Sequence, residues 1–214
     1  MRNRWLGFVI AAVALAVSVW AWPRLPARVP THWEVHGVPD GYSSRLAAAL
    51  IVPAIVVAMN GLFRILPRLD PRRVNYEKFQ DTYWLIANAV TLFLLGTHVL
   101  VMVNGLGHPV AMSRLMPVGV GLLFIVLGNS LARVQPTWFV GIRTPWTLSS
   151  DTVWRKTHRT GGFTFVIAGV LMVGTAFVSG PMTWVLLVTA AALAVAVPVV
   201  QSYVLWRREQ HEKP

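Results

Sequence analysis

Histidine and carboxylate side chains cluster in a polar segment, residues 23–45, that lies between two strongly apolar runs. His32 and His36 are four positions apart, so on a helical turn both would face the same way, and Asp40 could join them. Neutral imidazoles and a carboxylate are suitable ligands for zinc. The spacing is not HExxH, because Glu34 follows His32 by two positions. The simpler interpretation is a rigid cap whose polar groups bond their own backbone.

Proline sets the path of this segment, at Pro23, Pro26, Pro30 and Pro39. Proline fixes φ and restricts the residue before it, which predicts a stiff, extended chain with little helix. The run Pro39-Asp40-Gly41 has the composition of a turn. We therefore expect the polar side chains to be held on a rigid support.

A second polar segment, residues 133–161, combines large aromatic side chains with basic ones: Trp138, Trp146, Trp154, Arg133, Arg143, Arg155, Lys156, His158 and Arg159. Tryptophan and arginine together are typical of a chain that lies at a membrane surface. Thr144 is held extended before Pro145. Ser149, Ser150 or Asp151 could then cap a short amphipathic helix on which Trp154 would lie flat on the membrane.

The sequence contains no GxSxG, Walker, CxxC or HExxH motif and no cysteine, so nucleophilic or thiolate catalysis has no motif support and we expect no cofactor. All eight acidic residues lie outside the long apolar runs. Coupled transporters usually need a buried carboxylate, which argues against that class. His98 is the one titratable residue within a predicted span, and we interpret it as hydrogen-bonded structure.

Composition indicates an integral membrane protein. The chain has 214 residues, of which 55% are hydrophobic and 13% charged, and its mean hydropathy is +0.57. Continuous apolar runs favour helices over a β-barrel, so the predicted fold class is all-α and polytopic. The formal net charge of +11 comes without a nucleic-acid motif, so we expect no nucleic acid partner and assign the basic residues to loops that meet anionic lipid.

Six transmembrane helices are predicted, each close to the roughly 20 residues that cross the hydrocarbon. They are Trp5–Trp22, Leu46–Leu66, Tyr83–Val103, Leu115–Ala132, Gly162–Ser179 and Met182–Trp206, with Gly180 and Pro181 forming a tight turn between the last two. We expect kinks at Pro53, Pro117 and Pro198, and close packing at Gly119, Gly121, Gly128, Gly169 and Gly174. The predicted units are residues 1–66, 67–114 and 115–214.

The distribution of Lys and Arg predicts the orientation. If the N-terminus is cytoplasmic, the cytoplasmic segments hold fifteen of these residues, and the outer segments hold four: Arg24, Arg28, Arg45 and Arg114. The positive-inside rule then places both termini in the cytoplasm, residues 23–45 outside and residues 133–161 inside.

Both polar segments resemble the SdpI family of bacterial membrane proteins. The outer resemblance lies in Pro30-Thr31-His32-Trp33, Gly37 and Pro39-Asp40-Gly41-Tyr42; His36 is not part of that pattern. The inner one lies in Leu127-Gly128-Asn129, Trp138, Gly141-Ile142-Arg143-Thr144-Pro145-Trp146-Thr147-Leu148, Trp154, Thr157-His158-Arg159 and Gly161-Gly162. Together they extend over nearly the whole chain, and the GIRTPWTL run is specific.

The resemblance implies a protein of the bacterial cytoplasmic membrane that confers immunity to a secreted peptide toxin. It also implies a signalling receptor that draws a cytosolic repressor to the membrane, with membrane lipids as further partners. The expected ligand-binding residues are His32, Trp33, Gly37, Asp40 and Tyr42. The expected functional residues of the inner segment are Asn129, Arg143, Thr144, Pro145, Trp146, Trp154 and His158.

Two other functions stay open. One is a membrane enzyme or a lipid head-group-binding protein that uses His32 with Asp40, or Arg143 with His158, since arginine suits bidentate contact with phosphate. The other is a passive transporter or channel, which the lack of acidic residues in the spans disfavours.

Overall fold

Long apolar helices dominate the computed structural model, which describes residues 4–34 and 37–212. Within these residues, six helical segments are long and apolar enough to cross a membrane: Leu6–Arg24, Arg45–Leu69, Gln80–Gly105, Met112–Leu131, Asp151–Phe177 and Pro181–His211. The predicted all-α polytopic class is confirmed. The tight turn before the last span is also confirmed, because Gly180 has a φ of +66° and Pro181 begins the next helix.

The elements follow in a simple order. The helices are α1 (Leu6–Ala21), α2 (Arg45–Leu69), α3 (Val74–Lys78), α4 (Gln80–Gly105), α5 (Met112–Leu131), α6 (Pro145–Ser149), α7 (Asp151–Gly174), α8 (Pro181–Ala191) and α9 (Val197–His211). Strands β1 (Arg28–Trp33) and β2 (Pro39–Ser44) lie between α1 and α2. A π-helical turn, Ala192–Ala196, joins α8 to α9 just before Pro198, which lacks the N–H that a regular helix would use there.

The segment before α2 is an antiparallel hairpin, which adds a small sheet to the helical fold. The predicted extended path is confirmed, but the predicted turn at Pro39-Asp40-Gly41 is wrong, because these residues belong to β2. The chain reverses before them: the Gly37 N–H donates to Glu34 O over 2.8 Å, and Gly37 adopts a φ of +84°. The ladder has irregular register around His32.

Helices α1, α2 and α4 form the first bundle, and buried polar groups tie it together. Asn60 of α2 donates to Gly7 O of α1 over 3.0 Å. His98 of α4 is fully buried, and its Nε2 lies 2.9 Å from Ser18 Oγ of α1. This contact gives His98 the structural role expected of it.

Helices α5 and α7 pack through glycine. A Cβ on Gly121 would lie 2.6 Å from Gly169 O, and a Cβ on Gly128 would lie 2.7 Å from Gly162 O. The two contacts are seven residues, or two turns, apart on both helices, so they share one antiparallel register. Close packing is thereby confirmed at Gly121, Gly128 and Gly169. Only glycine permits backbones to approach this closely.

Candidate functional site

The hairpin brings His32 and Asp40 together, one from each strand. His32 Nδ1 lies 2.6 Å from Asp40 Oδ1, and both side chains are solvent-accessible. Gly41 permits this register, because a Cβ there would lie 2.7 Å from the Cβ of His32. The pair is thus a surface histidine oriented by a carboxylate on a rigid support.

The other residues that were predicted to bind a ligand lie on different parts of the hairpin. Trp33 is half-buried and packs on the cluster that contains Leu25 and Val29, whereas Tyr42 is exposed. Gly37 lies at the tip, where a Cβ would be 3.1 Å from Ser113 Oγ at the start of α5. The predicted residues therefore serve two purposes, with Trp33 anchoring the hairpin and His32, Asp40 and Tyr42 facing outward.

The helical turn proposed for a metal site is wrong, because His32 lies on a strand. His36 lies outside the described residues. In residues 4–34 and 37–212, no group of three or more metal-ligating side chains converges. His32 and Asp40 form a hydrogen-bonded pair.

A cleft of about 580 Å³ opens beside the hairpin tip, and the sequence analysis did not single it out. It lies between the N-terminus of α5 and the turn that precedes α8, with Ser113 and Arg114 on one side and Thr183 and Trp184 on the other. Ser113 lines this cleft and also contacts the hairpin tip. The only sequence signal for it was a lone arginine, Arg114, in an otherwise apolar region.

The inner segment is built around a histidine locked between backbone groups. The Ile142 N–H donates to His158 Nε2 over 2.9 Å, so Nε2 is unprotonated. Nδ1 therefore carries the proton and donates to Trp154 O over 2.9 Å. The ring also stacks on Trp154 with 4.0 Å between centroids. His158 is thus neutral, buried and fully engaged within the protein.

Gly141 makes this arrangement possible. Its φ is +118°, in the region that favours glycine, and a Cβ would lie 2.5 Å from His158 Nε2. Trp154 lies under the same turn, and its Nε1 donates to Val134 O over 2.9 Å. The segment consequently folds back onto the first turns of α7.

The expectation that Trp154 lies flat on the membrane is wrong. Ser150 caps the helix by accepting from the Val153 N–H, and α7 then runs without interruption from Asp151 to Gly174. Trp154 has no exposed surface and belongs to a core cluster with Tyr76 and Tyr83. The predicted surface helix is the first part of the fifth span.

The threonines of the GIRTPWTL run form a capping box. The Thr147 N–H donates to Thr144 Oγ1, and the Thr144 N–H donates to Thr147 Oγ1. Pro145 occupies the first position of α6. Thr144 Oγ1 also donates to Ser202 Oγ of α9 over 3.0 Å. Trp146 contacts Tyr203 of α9, with 5.1 Å between ring centroids. The run therefore fastens the inner segment to the last helix.

Asp70 is a central residue that the sequence analysis missed. It is buried and accepts three hydrogen bonds: from the Tyr76 hydroxyl, the Trp138 N–H and the Arg72 N–H, at 2.8 to 2.9 Å. Burial, and then the hydrogen bond to Asp70, raise the pKa of Tyr76 above its usual range. Asp70 thus ties the segment after α2 to the inner segment, and its position directly after an apolar run was the only sequence signal.

Trp138 and Arg143 of the inner segment are exposed, and so is Asn129 near the end of α5. Arg143 Nη1 donates to Trp138 O over 2.9 Å, which fixes its orientation. Arg143 and His158 have separate partners, so the structure does not join them in one site. The inner segment offers an exposed arginine and tryptophan on a rigid, internally bonded loop.

Known proteins match this chain from end to end. Residues 133–202 match the SdpI/YfhL protein family, and residues 9–57 match a domain of unknown function, DUF1648. Over 208 residues the chain is 22% identical to the immunity protein SdpI of Bacillus subtilis (strain 168), which covers 97% of this chain and 98% of that protein. No solved structure gives a significant match.

The fold and these matches define a multi-pass helical protein of the bacterial plasma membrane. The residues that carried the predicted resemblance at positions 133–162 lie within the family match. Over residues 133–202 the chain is similar to the SdpI/YfhL family, and over almost its whole length it is similar to an immunity protein.

Proposed function

We propose that this protein confers resistance to a secreted peptide toxin or another membrane-active agent, and that the hairpin receives that agent outside the cell. The observation that carries the proposal is the similarity to an immunity protein along almost the whole of both chains. A likeness limited to the membrane spans would support only a shared fold.

The hairpin is suited to an extended peptide. A two-stranded sheet leaves one edge of each strand without a strand partner, and such edges can accept a further strand by backbone hydrogen bonding. Tyr42 and Val38 supply exposed apolar surface beside the His32–Asp40 pair. The cleft at Arg114 lies next to the hairpin tip and offers a cation for a carboxylate group of the peptide.

The test is survival of a sensitive bacterial host that expresses the native chain and is challenged with a panel of membrane-active peptides. We expect at least one peptide to need a higher killing concentration. We expect a His32→Ala/Asp40→Ala double variant to lose that protection at equal membrane abundance.

A matched control removes one histidine and one acid elsewhere on the same predicted face. Glu34 and His108 are exposed, and a Glu34→Ala/His108→Ala variant should protect as the native chain does. Undiminished protection by the His32→Ala/Asp40→Ala variant would refute the role of the hairpin. Failure of the native chain against every peptide would count against the function itself.

The alternative function is a membrane enzyme or head-group-binding protein that uses the same pair. The 2.6 Å contact favours it, because a carboxylate that orients a histidine is a common general-base arrangement. A His32→Asn variant separates the two functions: an amide retains polar contact with Asp40 but cannot transfer protons. Retained protection fits binding, whereas loss of protection with intact folding fits catalysis.

We infer a signalling role for the inner segment, with a cytosolic regulator contacting Trp138 and Arg143. Both side chains are exposed on a loop that Asp70 and His158 hold in place. If the role is correct, peptide challenge should change transcription in cells with the native chain but not with an Arg143→Ala/Trp138→Ala variant that still protects. An identical transcriptional response in both strains would exclude it.

A further inference from the structure

A cleft of about 430 Å³ lies along the contact between α5 and α7, at the end of the bundle that carries the inner segment. Arg155 and Arg159 of α7 and Asn129 of α5 form its polar part, and Phe163 and Val166 form its apolar part. Its back wall is the glycine contact between the two helices, which has no side chains to fill the space. The cleft is separate from the hairpin and from the locked His158.

The two arginines have almost no partners of their own. Among the described residues, the ion pairs are His32–Asp40 and Arg72–Asp151, so neither arginine is neutralised. Arg155 Nη2 donates to Thr152 Oγ1 over 3.3 Å. Arg159 has no hydrogen-bond partner among the residues that the structure describes. Both side chains are exposed.

Their location makes an anion favourable for two reasons. Arg155 and Arg159 are one helical turn apart on α7, so like charges are neighbours. Their planar guanidinium groups can also bind a phosphate through paired hydrogen bonds. A bound phosphate would relieve the repulsion and satisfy the unpaired donors.

The apolar part of the cleft identifies the source of that phosphate. Phe163 follows Arg159 by one turn and is 66% exposed, and Val166 lies further toward the middle of the span. The cleft is therefore charged at the membrane edge and apolar toward the bilayer centre. A phospholipid has the same polarity along its length.

We propose that this cleft is a binding site for an anionic phospholipid. Arg155 and Arg159 bind its phosphate, the Asn129 amide donates to the head group, and an acyl chain lies along Phe163 and Val166. The site is independent of the proposed immunity function, because it shares no residue with the hairpin or with the Trp138 and Arg143 surface. It supplies the α5–α7 pair with a specific lipid contact at its charged end.

The test is native mass spectrometry of the purified full-length protein in detergent, titrated with phosphatidylglycerol. We expect an Arg155→Gln/Arg159→Gln variant to bind it about tenfold more weakly, as expected for losing charge-assisted hydrogen bonds. The matched control is Arg68→Gln/Arg207→Gln, which removes two exposed arginines at the same end of the bundle but outside the cleft. The control should bind as the native protein does.

Three outcomes would overturn the proposal. Equal weakening by both variant pairs would show that net charge, and not the cleft, attracts the lipid. Equal binding of phosphatidylethanolamine, whose ammonium group offsets the phosphate, would exclude selection for an anion. Displacement of phosphatidylglycerol by an equal concentration of inorganic phosphate would show that the acyl chain contributes nothing.

A second variant guards against loss of folding. Arg155→Lys/Arg159→Lys keeps both charges but removes the paired donors, so it should bind with intermediate strength at an unchanged melting temperature. Binding as weak as that of the Gln variant would contradict a charge-based site.

Discussion

At residue scale, the inner segment is held by a few contacts that tolerate little change. Gly141 lies against His158 and Trp154, and the imidazole bonds backbone on both sides. Arginine and tryptophan suggested a surface role, but two of the most specific residues, Trp154 and His158, have almost no exposed surface. Much of the GIRTPWTL run is accordingly explained by packing and capping, whereas Arg143 is exposed and can contact a partner.

Replacement of Gly141 by alanine should destabilise the protein. The φ of +118° is unfavourable for alanine, and its Cβ would lie 2.5 Å from His158 Nε2. We expect a loss of about 2 kcal/mol or more in unfolding free energy, measured as a lower melting temperature in detergent.

Gly107→Ala is the matched control for strain without steric overlap. Gly107 has a φ of +87°, and nothing lies within 4 Å of a Cβ placed there. Gly141→Ala should therefore lower the free energy of unfolding clearly more than Gly107→Ala does. Equal effects would mean that the contact with His158 contributes nothing beyond backbone strain.

The hydrogen bond from Tyr76 to Asp70 predicts a pH dependence. The fold favours the neutral phenol, because burial and Asp70 raise the pKa of Tyr76. Its contribution to stability is thus complete below the unfolded pKa of about 10 and is lost as the pH rises above it. Tyr76→Phe should cost about 1 kcal/mol at neutral pH and should weaken the alkaline decline in melting temperature. An unchanged alkaline slope would contradict this assignment.

Residue patterns predicted some of these contacts and missed others for a physical reason. His32 and Asp40 are close in sequence, so their proximity was predicted, although the helical turn predicted to bring them together is wrong. Asp70 and Trp138 are 68 residues apart, and their contact exists only after the inner segment closes over the end of α2. Local sequence patterns cannot predict a contact between residues so far apart in the chain.

At element scale, the spans were predictable because each is a continuous apolar run. The start of α7 was not, because its basic residues resembled a surface segment. The helical spacing of its buried side chains is nevertheless present: Val153, Trp154, Thr157, His158, Gly161 and Gly162 form one stripe, while Arg155, Lys156 and Arg159 lie outside it. That stripe crosses the predicted boundary at Gly162 and indicates one continuous helix.

The α5–α7 contact predicts that any side chain placed at its glycines lowers the free energy of unfolding. Gly128→Ala would place a Cβ 2.7 Å from Gly162 O, so the helices would have to separate. We expect a loss of about 1–3 kcal/mol, as for an overpacked core, seen as a lower melting temperature in detergent.

Gly96→Ala serves as the comparison, since Gly96 lies within α4 and a Cβ there meets nothing within 4 Å. Alanine favours a helix more than glycine does, so this variant should be neutral or slightly more stable. A neutral Gly128→Ala would show that the α5–α7 backbones do not approach as described.

At the scale of the whole molecule, α2 separates the two polar ends. Its 25 residues span about 37 Å at 1.5 Å per residue, enough to cross a bilayer. The hairpin precedes this helix and Asp70 follows it, so the toxin-facing and regulator-facing surfaces we propose lie at opposite ends. The division of the chain into residues 1–66, 67–114 and 115–214 is also a proposal.

The orientation we propose rests on charge, with fifteen basic residues predicted inside and four outside. The chain has no cysteine, so a thiol reagent would label only a cysteine introduced by mutation, and its labelling reports the side of the membrane. Val38→Cys at the hairpin and Thr152→Cys at the start of α7 are exposed positions at opposite ends. In intact cells a membrane-impermeant maleimide should label the first and not the second, and permeabilised cells should show both. Val200→Cys, on the apolar surface of α9, should resist labelling throughout. Labelling of both ends in intact cells would overturn the proposed topology and with it the separate roles of the two ends.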